Sequence, residues 1–151
     1  MIQKLGLTTF FLSFLLVGLS QPPIKSLPAG CIQFTPGDMQ WIDTSSILPK
    51  GAKYSILYGD IKKEAPFAIR VKLPPNITIK THYHLKDEVV TVLEGSVSIG
   101  FGDKTESSQT KTFSANSFYV NAAEVKHYVI VGDKGVTIQI NSMGPWITRF
   151  D

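Results

Sequence analysis

The stretch Thr81-His82-Tyr83-His84-Leu85-Lys86-Asp87-Glu88-Val89-Val90-Thr91-Val92-Leu93-Glu94-Gly95 places two histidines, a glutamate and a glycine in the order H-x-H-x3-E-x6-G. The chain has three histidines, and the third, His127, follows about forty residues later in a second strand-rich stretch. Side chains alternate between the two faces of a strand, so His82 and His84 point the same way. Glu88 lies past a three-residue connection and faces them from the next strand. By the same parity Val90 and Val92 share the inward face with Glu88, Val129 shares it with His127, and Tyr83 packs outside. Three imidazoles and one carboxylate then converge on a single divalent cation. A lone histidine in a strand is more often structural. All three histidines of a histidine-poor chain in one pattern favour a metal.

Outward from this stretch, short β-rich runs alternate with turn signals at 54–58, 67–73, 77–84, 89–93, 97–101, 110–113, 118–120, 127–131, 136–140 and 147–150. No helical period is sustained, and strands recurring every eight to twelve residues indicate an all-β sandwich or barrel. Pro74-Pro75-Asn76 marks the start of the strand that carries His82, because proline cannot donate to a ladder. Glu94-Gly95 reads as a hairpin turn between 89–93 and 97–101, with Gly95 supplying a positive φ. Proline and glycine punctuate 21–36, an extended arm, and a first strand is expected within 37–53.

The 151 residues suffice for one domain with a hydrophobic core. Residues 1–20 resemble a secretory signal peptide: Lys4 precedes the apolar run LGLTTFFLSFLLVGL, and Gly18 and Ser20 suit a cut before Gln21. That run falls short of the roughly twenty residues of a spanning helix, so no stable membrane span is expected after its removal. An uncleaved N-terminal anchor is the alternative. Residues 1–20 contain one charged residue, Lys4, so their removal takes the formal charge from +3 to +2. The remaining basic residues are scattered, without the clustered face that nucleic acid requires. Cys31 is the only cysteine, which excludes an intrachain disulfide and leaves its role open. The expected division is a signal peptide at 1–20, an arm at 21–53 and a barrel domain at 54–151, in the periplasm or secreted.

The pattern from Asn76 to Gly95 resembles the first motif of the cupin superfamily, G-x5-H-x-H-x3,4-E-x6-G, with asparagine in place of the leading glycine. The second motif, G-x5-P-x-G-x2-H-x3-N, is loosely matched over 116–131. There Asn116, Ala122, Glu124 and Val131 stand for glycine, proline, glycine and asparagine, and His127 is kept. The resemblance covers about 65–142. It implies a single antiparallel jelly-roll barrel of the RmlC-like kind, holding one divalent metal through His82, His84, Glu88 and His127. It also suggests pairing of barrel sheets into a homodimer. A non-glycine residue at a positive-φ position costs about 1 kcal/mol, so the 122–124 turn has a reason to adopt another geometry. A register shift of one residue would turn His127 to the opposite face and leave His82, His84 and Glu88 as a triad.

A site of imidazole and carboxylate suits Mn, Fe, Co, Ni, Cu or Zn. One reading is an exported metal-dependent enzyme of oxygenase, decarboxylase or isomerase type, acting on a small oxygen-rich molecule. Another is a non-catalytic module that binds metal or a small ligand, and a third is a barrel with a vestigial site. No catalytic acid or base stands out beyond the ligands; Tyr119, Tyr128 and Glu124 are weak candidates. The C-terminal Gly144-Pro145-Trp146-Ile147 either caps a barrel mouth through Trp146 or buries the terminus, and burial is the favoured expectation.

Overall fold

The computed structural model describes residues 26–44 and 48–150. The signal peptide expected at 1–20 lies outside them. The chain divides into two compact units, residues 1–31 and 32–151. In the first, Cys31 is exposed. The second contains nine strands among the described residues, every pairing antiparallel: β1 (Ile42–Asp43), β2 (Lys53–Tyr58), β3 (Pro66–Leu73), β4 (Thr78–His84), β5 (Glu88–Phe101), β6 (Thr110–Ser114), β7 (Phe118–Asn121), β8 (His127–Met143) and β9 (Thr148–Phe150).

Two long strands organise the rest. β5 and β8 lie side by side from Val89↔Asn141 to Phe101↔His127, with register shifts between Val92 and Glu94 and between Gly95 and Val97. On either side of those shifts they have different outer neighbours. The C-terminal part of β8 pairs with β3, which leads to β2 and β1, while the N-terminal part of β5 pairs with β7. The N-terminal part of β8 pairs with β4, which leads to β9, while the C-terminal part of β5 pairs with β6. One bent sheet thus supplies both walls of the antiparallel jelly roll that the resemblance implied.

The hairpin expected at Glu94-Gly95 is not formed, because residues 89–101 run on as one strand; 127–131 and 136–140 merge likewise into β8. Gly95 does have positive φ, at +72°, but it serves a bend within β5. A Cβ at Gly95 would collide with the carbonyl oxygen of Gly135 on β8. Only a residue without a side chain lets the two backbones come this close while they turn.

Alternation in β3 and β5 sends Phe67, Ile69, Val71 and Leu73, and Val90 and Val92, into the core, as parity predicts. Among the described residues, three that are not glycine have positive φ: Asn76 (+58°), Asn116 (+70°) and Glu124 (+64°). Each occupies a position where the cupin motifs carry glycine. The backbone geometry is therefore kept although the glycines are not. Asparagine tolerates this region well, whereas glutamate does not. The turn at Glu124 holds through backbone bonds from Glu124 N–H to His84 O (2.7 Å) and Val125 N–H to Ala122 O (3.2 Å). The register consequently survives, and His127 faces inward.

Two substitutions test these assignments by chemical denaturation. Gly95→Ala should destabilise by at least about 2 kcal/mol, from the left-handed φ plus the collision with β8. Glu124→Gly should leave the fold unchanged and stabilise it by up to about 1 kcal/mol.

Candidate metal centre

The inward orientation of His82 and His84 depends on an irregularity in β4. Ile79 pairs with Val129, yet the next pair toward β8 is His82↔His127, so β4 carries one residue more than its partner. The burial pattern shows the effect: Ile79, His82 and His84 are buried while Lys80 is exposed. In an unbroken ladder the face of Ile79 would have continued to Thr81 and Tyr83. The bulge reverses the parity and brings both histidines to the side of Ile79. Its own backbone then fixes one ring, since the carbonyl of Lys80 accepts a hydrogen bond from His82 Nδ1–H at 2.7 Å.

His127 begins β8 directly opposite His82, with ring centroids 4.3 Å apart. Its Nδ1–H donates to Val125 O at 3.0 Å. His84 Nδ1 lies 3.4 Å from both Ile147 O and Thr148 Oγ1, where β9 runs along the free edge of β4. Since a carbonyl only accepts, each Nδ1 carries the proton and each Nε2 keeps its lone pair. Donor atoms of His82, His84 and His127 all lie within 4.8 Å of one another. Two donors about 2.1 Å from one ion sit about 4.2 Å apart when trans, so a small inward shift suffices.

Glu88 approaches from the opposite wall, at the head of β5. Its Oε1 is 3.8 Å from His84 Nε2 and its Oε2 is 3.6 Å from His127 Nε2. These gaps are too long for hydrogen bonds and suit two donors that share an ion. Asn121, paired with Glu88 across β7, donates from Nδ2 to Glu88 Oε2 at 2.7 Å. His127, only 1 % exposed, leaves Nε2 buried with no hydrogen-bond partner. An orphaned acceptor inside a protein is costly, and a cation at the meeting point would satisfy it. The donor set therefore fits one divalent ion.

Burial dominates the acid–base behaviour of the group without an ion. It lowers the pKa of His82, of His84 to about 3 and of His127 to about 4; the neighbouring imidazoles push the last two further down. It raises Glu88 to about 7, against the opposing pull of the Asn121 bond. At neutral pH the three rings are thus unprotonated and ready to coordinate. Tyr119 is pushed up as well, by burial and then by the charge of Glu88.

His82, His84 and Glu88 line a cavity of about 590 Å³. Tyr119 also lines it, whereas Tyr128 does not: its hydroxyl donates to Glu106 O at 2.6 Å and its ring packs on Gly100. Glu124 is exposed in its turn. Trp146 departs from the expected simple burial, because it stacks on His84 (4.1 Å between centroids, 18° between planes) and forms part of the cavity wall. The sequence pattern does not reach Asn121, because the expected strand ends at 120 whereas β7 runs to Asn121. One more residue of alternation from Tyr119 would have placed an inward amide opposite Glu88.

No family model matches the sequence, and no curated protein does. Solved structures do. The polyketide cyclase RemF from Streptomyces resistomycificus is 14% identical over 78% of this chain and 82% of its own, with a TM-score of 0.62. An RmlC-like cupin from Shewanella frigidimarina is 18% identical over 74% and 90%, at 0.58. KdgF from a Halomonas species is 17% identical over 74% and 92%, at 0.56. The fold is that of the cupin superfamily. At these identities the likeness carries the fold alone, and the case for a metal in this chain rests on its own side chains.

The pKa shifts give the metal-free protein a defined pH response. The folded histidines bind protons less readily than the unfolded ones, so stability is lost as pH falls from about 6.5 toward 3. Glu88 has the opposite sign: the folded state keeps a proton that the unfolded chain has released, so stability falls as pH rises from about 4.5 to 7. Glu88→Gln removes only the second limb. The variant should melt above the metal-free parent at pH 8, and the gap should shrink at pH 5.

Proposed function

We propose that this cupin is an exported metalloprotein that holds one divalent ion through His82, His84, Glu88 and His127 and presents it to a small molecule in the adjoining cavity. The observation that carries this reading is the unpartnered Nε2 of His127, buried within reach of two further imidazole donors and a carboxylate. The character of residues 1–20 supports export. Four protein donors leave positions open on an octahedral ion, and a bound ion would supply Lewis-acid activation of an oxygen donor on the substrate. The surrounding residues have their own parts. The Lys80 and Val125 carbonyls hold two rings in the ligating tautomer, Asn121 orients Glu88, and Trp146 fixes His84 from the cavity side.

An enzyme acting on a small molecule with oxygen donors is the favoured form, in keeping with a polyketide cyclase among the solved neighbours. A non-catalytic ligand-binding module is favoured by one observation. Among the described residues lining the cavity, Glu88 is the only carboxylate, and the phenol of Tyr119 holds its proton tightly.

Purified without chelator, the chain should contain one metal per molecule by elemental analysis, and His82→Ala, His127→Ala and Glu88→Ala should each abolish stoichiometric loading. Equal trace metal in all four proteins would overturn the reading. Asn121→Ala should keep the metal but weaken it about 10–100-fold, as loss of a group that orients a ligand does. Affinity should also fall about ten-fold per pH unit below 7, because binding displaces the proton of Glu88. The histidines add to that slope only in more acidic solution, since their own pKa values are lowered.

A further inference from the structure

The wall of the cavity constrains what enters it. Ile69, Val71 and Leu73 on β3, Ile138 and Ile140 on β8 and Ile79 on β4 present their inward side chains to the same space as the candidate ligands. Tyr54 and Trp146 add aromatic surface. Among the described lining residues there is no Lys, Arg, Asp, Asn, Gln or Ser; away from the donor quartet, the side-chain polar groups are the hydroxyls of Thr44, Thr148, Tyr54 and Tyr119 and the indole N–H of Trp146. At about 590 Å³ the space matches a pocket for a drug-sized ligand.

Three ligand classes fare differently here. A dicarboxylate or phosphorylated sugar would carry its second charge into a chamber without a cation to pair it, and an unpaired buried charge is strongly disfavoured. A free sugar would leave most hydroxyls without partners, at a loss on the order of ten-fold in affinity for each. A hydrocarbon or aryl body gains instead, about four-fold per buried methylene.

We infer that the ligand class is an amphiphile: a single oxygen-chelating head with no more than one negative charge, such as an enolised 1,3-diketone or a hydroxyketone, joined to an aromatic or aliphatic body that lies against the isoleucine-rich wall. Placement of the head rests on the metal reading above. Placement of the body rests on the cavity alone. The inference narrows the oxygen-rich substrates expected from the sequence to those whose oxygens are confined to one end.

The chain has two tryptophans, which allows a local readout. Trp41 lies under Lys72 Nζ, 4.5 Å from its ring centroid, and Lys72 is an exposed residue on the outward side of β3. Trp146 is in the cavity. In a Trp41→Phe protein loaded with Zn²⁺, benzoylacetone and acetylacetone present the same chelating head with and without an aryl body. Calorimetry should give benzoylacetone a dissociation constant at least about ten-fold lower, with quenching of Trp146 fluorescence, while a ten-fold excess of succinate, whose second carboxylate would project into the chamber, should displace neither. Ile138→Thr should weaken benzoylacetone several-fold and leave acetylacetone and zinc affinity unchanged. Equal affinity for the two diketones, or effective competition by succinate, would overturn the ligand class with the metal site intact. If benzoylacetone binds the metal-free protein as tightly as the zinc form, the preference for an apolar body stands and the assignment of the chelating head to the metal falls.

Discussion

The single additional residue in β4 between Ile79 and His82 controls the chemistry of this protein. Hydrophobic pattern and metal pattern are out of phase there: the isoleucine at 79 and the histidines at 82 and 84 cannot share a face of a regular strand. A bulge reconciles them by letting the apolar start of β4 and its polar end both turn inward. The same irregularity places the Lys80 carbonyl where it orients the His82 ring. Shape and tautomer are thus set by one local feature, and without it Thr81 and Tyr83 would face the cavity.

The bend shared by β5 and β8 is the complementary constraint. The histidines belong to strands on one side of the bend, β4 and the beginning of β8, whereas Glu88 and Asn121 belong to the other, where β5 pairs with β7. Because Gly95 lets the two long strands turn together, the carboxylate comes to lie 3.6–3.8 Å from imidazole nitrogens of the opposite wall. An ion held by all four side chains would tie the walls to each other. Without one, burial keeps the imidazoles neutral and favours a protonated Glu88. The site thereby avoids an uncompensated buried charge.

Much of this was legible in the sequence because it depends on periodicity. Alternating hydrophobic runs indicated an all-β chain, and the H-x-H pair with a later glutamate and glycine indicated the barrel and marked side chains that the fold brings together. Less accessible was whether a glycine begins a hairpin or bends a continuous strand. Positive φ is common to both, and the choice at Gly95 depends on β8, some forty residues away in sequence. The degenerate second motif concealed its backbone for a related reason. Asn116 and Glu124 retain the left-handed conformation of the glycines they stand for, held by hydrogen bonds that composition does not reveal. Asn121 and Trp146 act through tertiary neighbours, so a pattern confined to the ligands passes over them.

The C-terminal strand shows how closely wall and centre are joined. β9 pairs with β4 through His82↔Phe150, Tyr83↔Arg149 and His84↔Thr148, the segment of β4 that carries both histidines. It covers an edge that would otherwise expose unpaired backbone. It also brings Trp146 onto the face of His84 and Phe150 within 5.4 Å of the His82 ring. Residues 146–150 therefore meet two requirements that usually compete. Aromatic and aliphatic side chains give the cavity an apolar wall beside the histidines, and a less polar surrounding strengthens any electrostatic interaction with a bound ion. The backbone carbonyl of Ile147 and the hydroxyl of Thr148 supply the polar contacts that an imidazole needs in so apolar a setting. An apolar chamber can keep a polar centre in order only if those contacts come from the chamber's own frame, and here the last strand provides them.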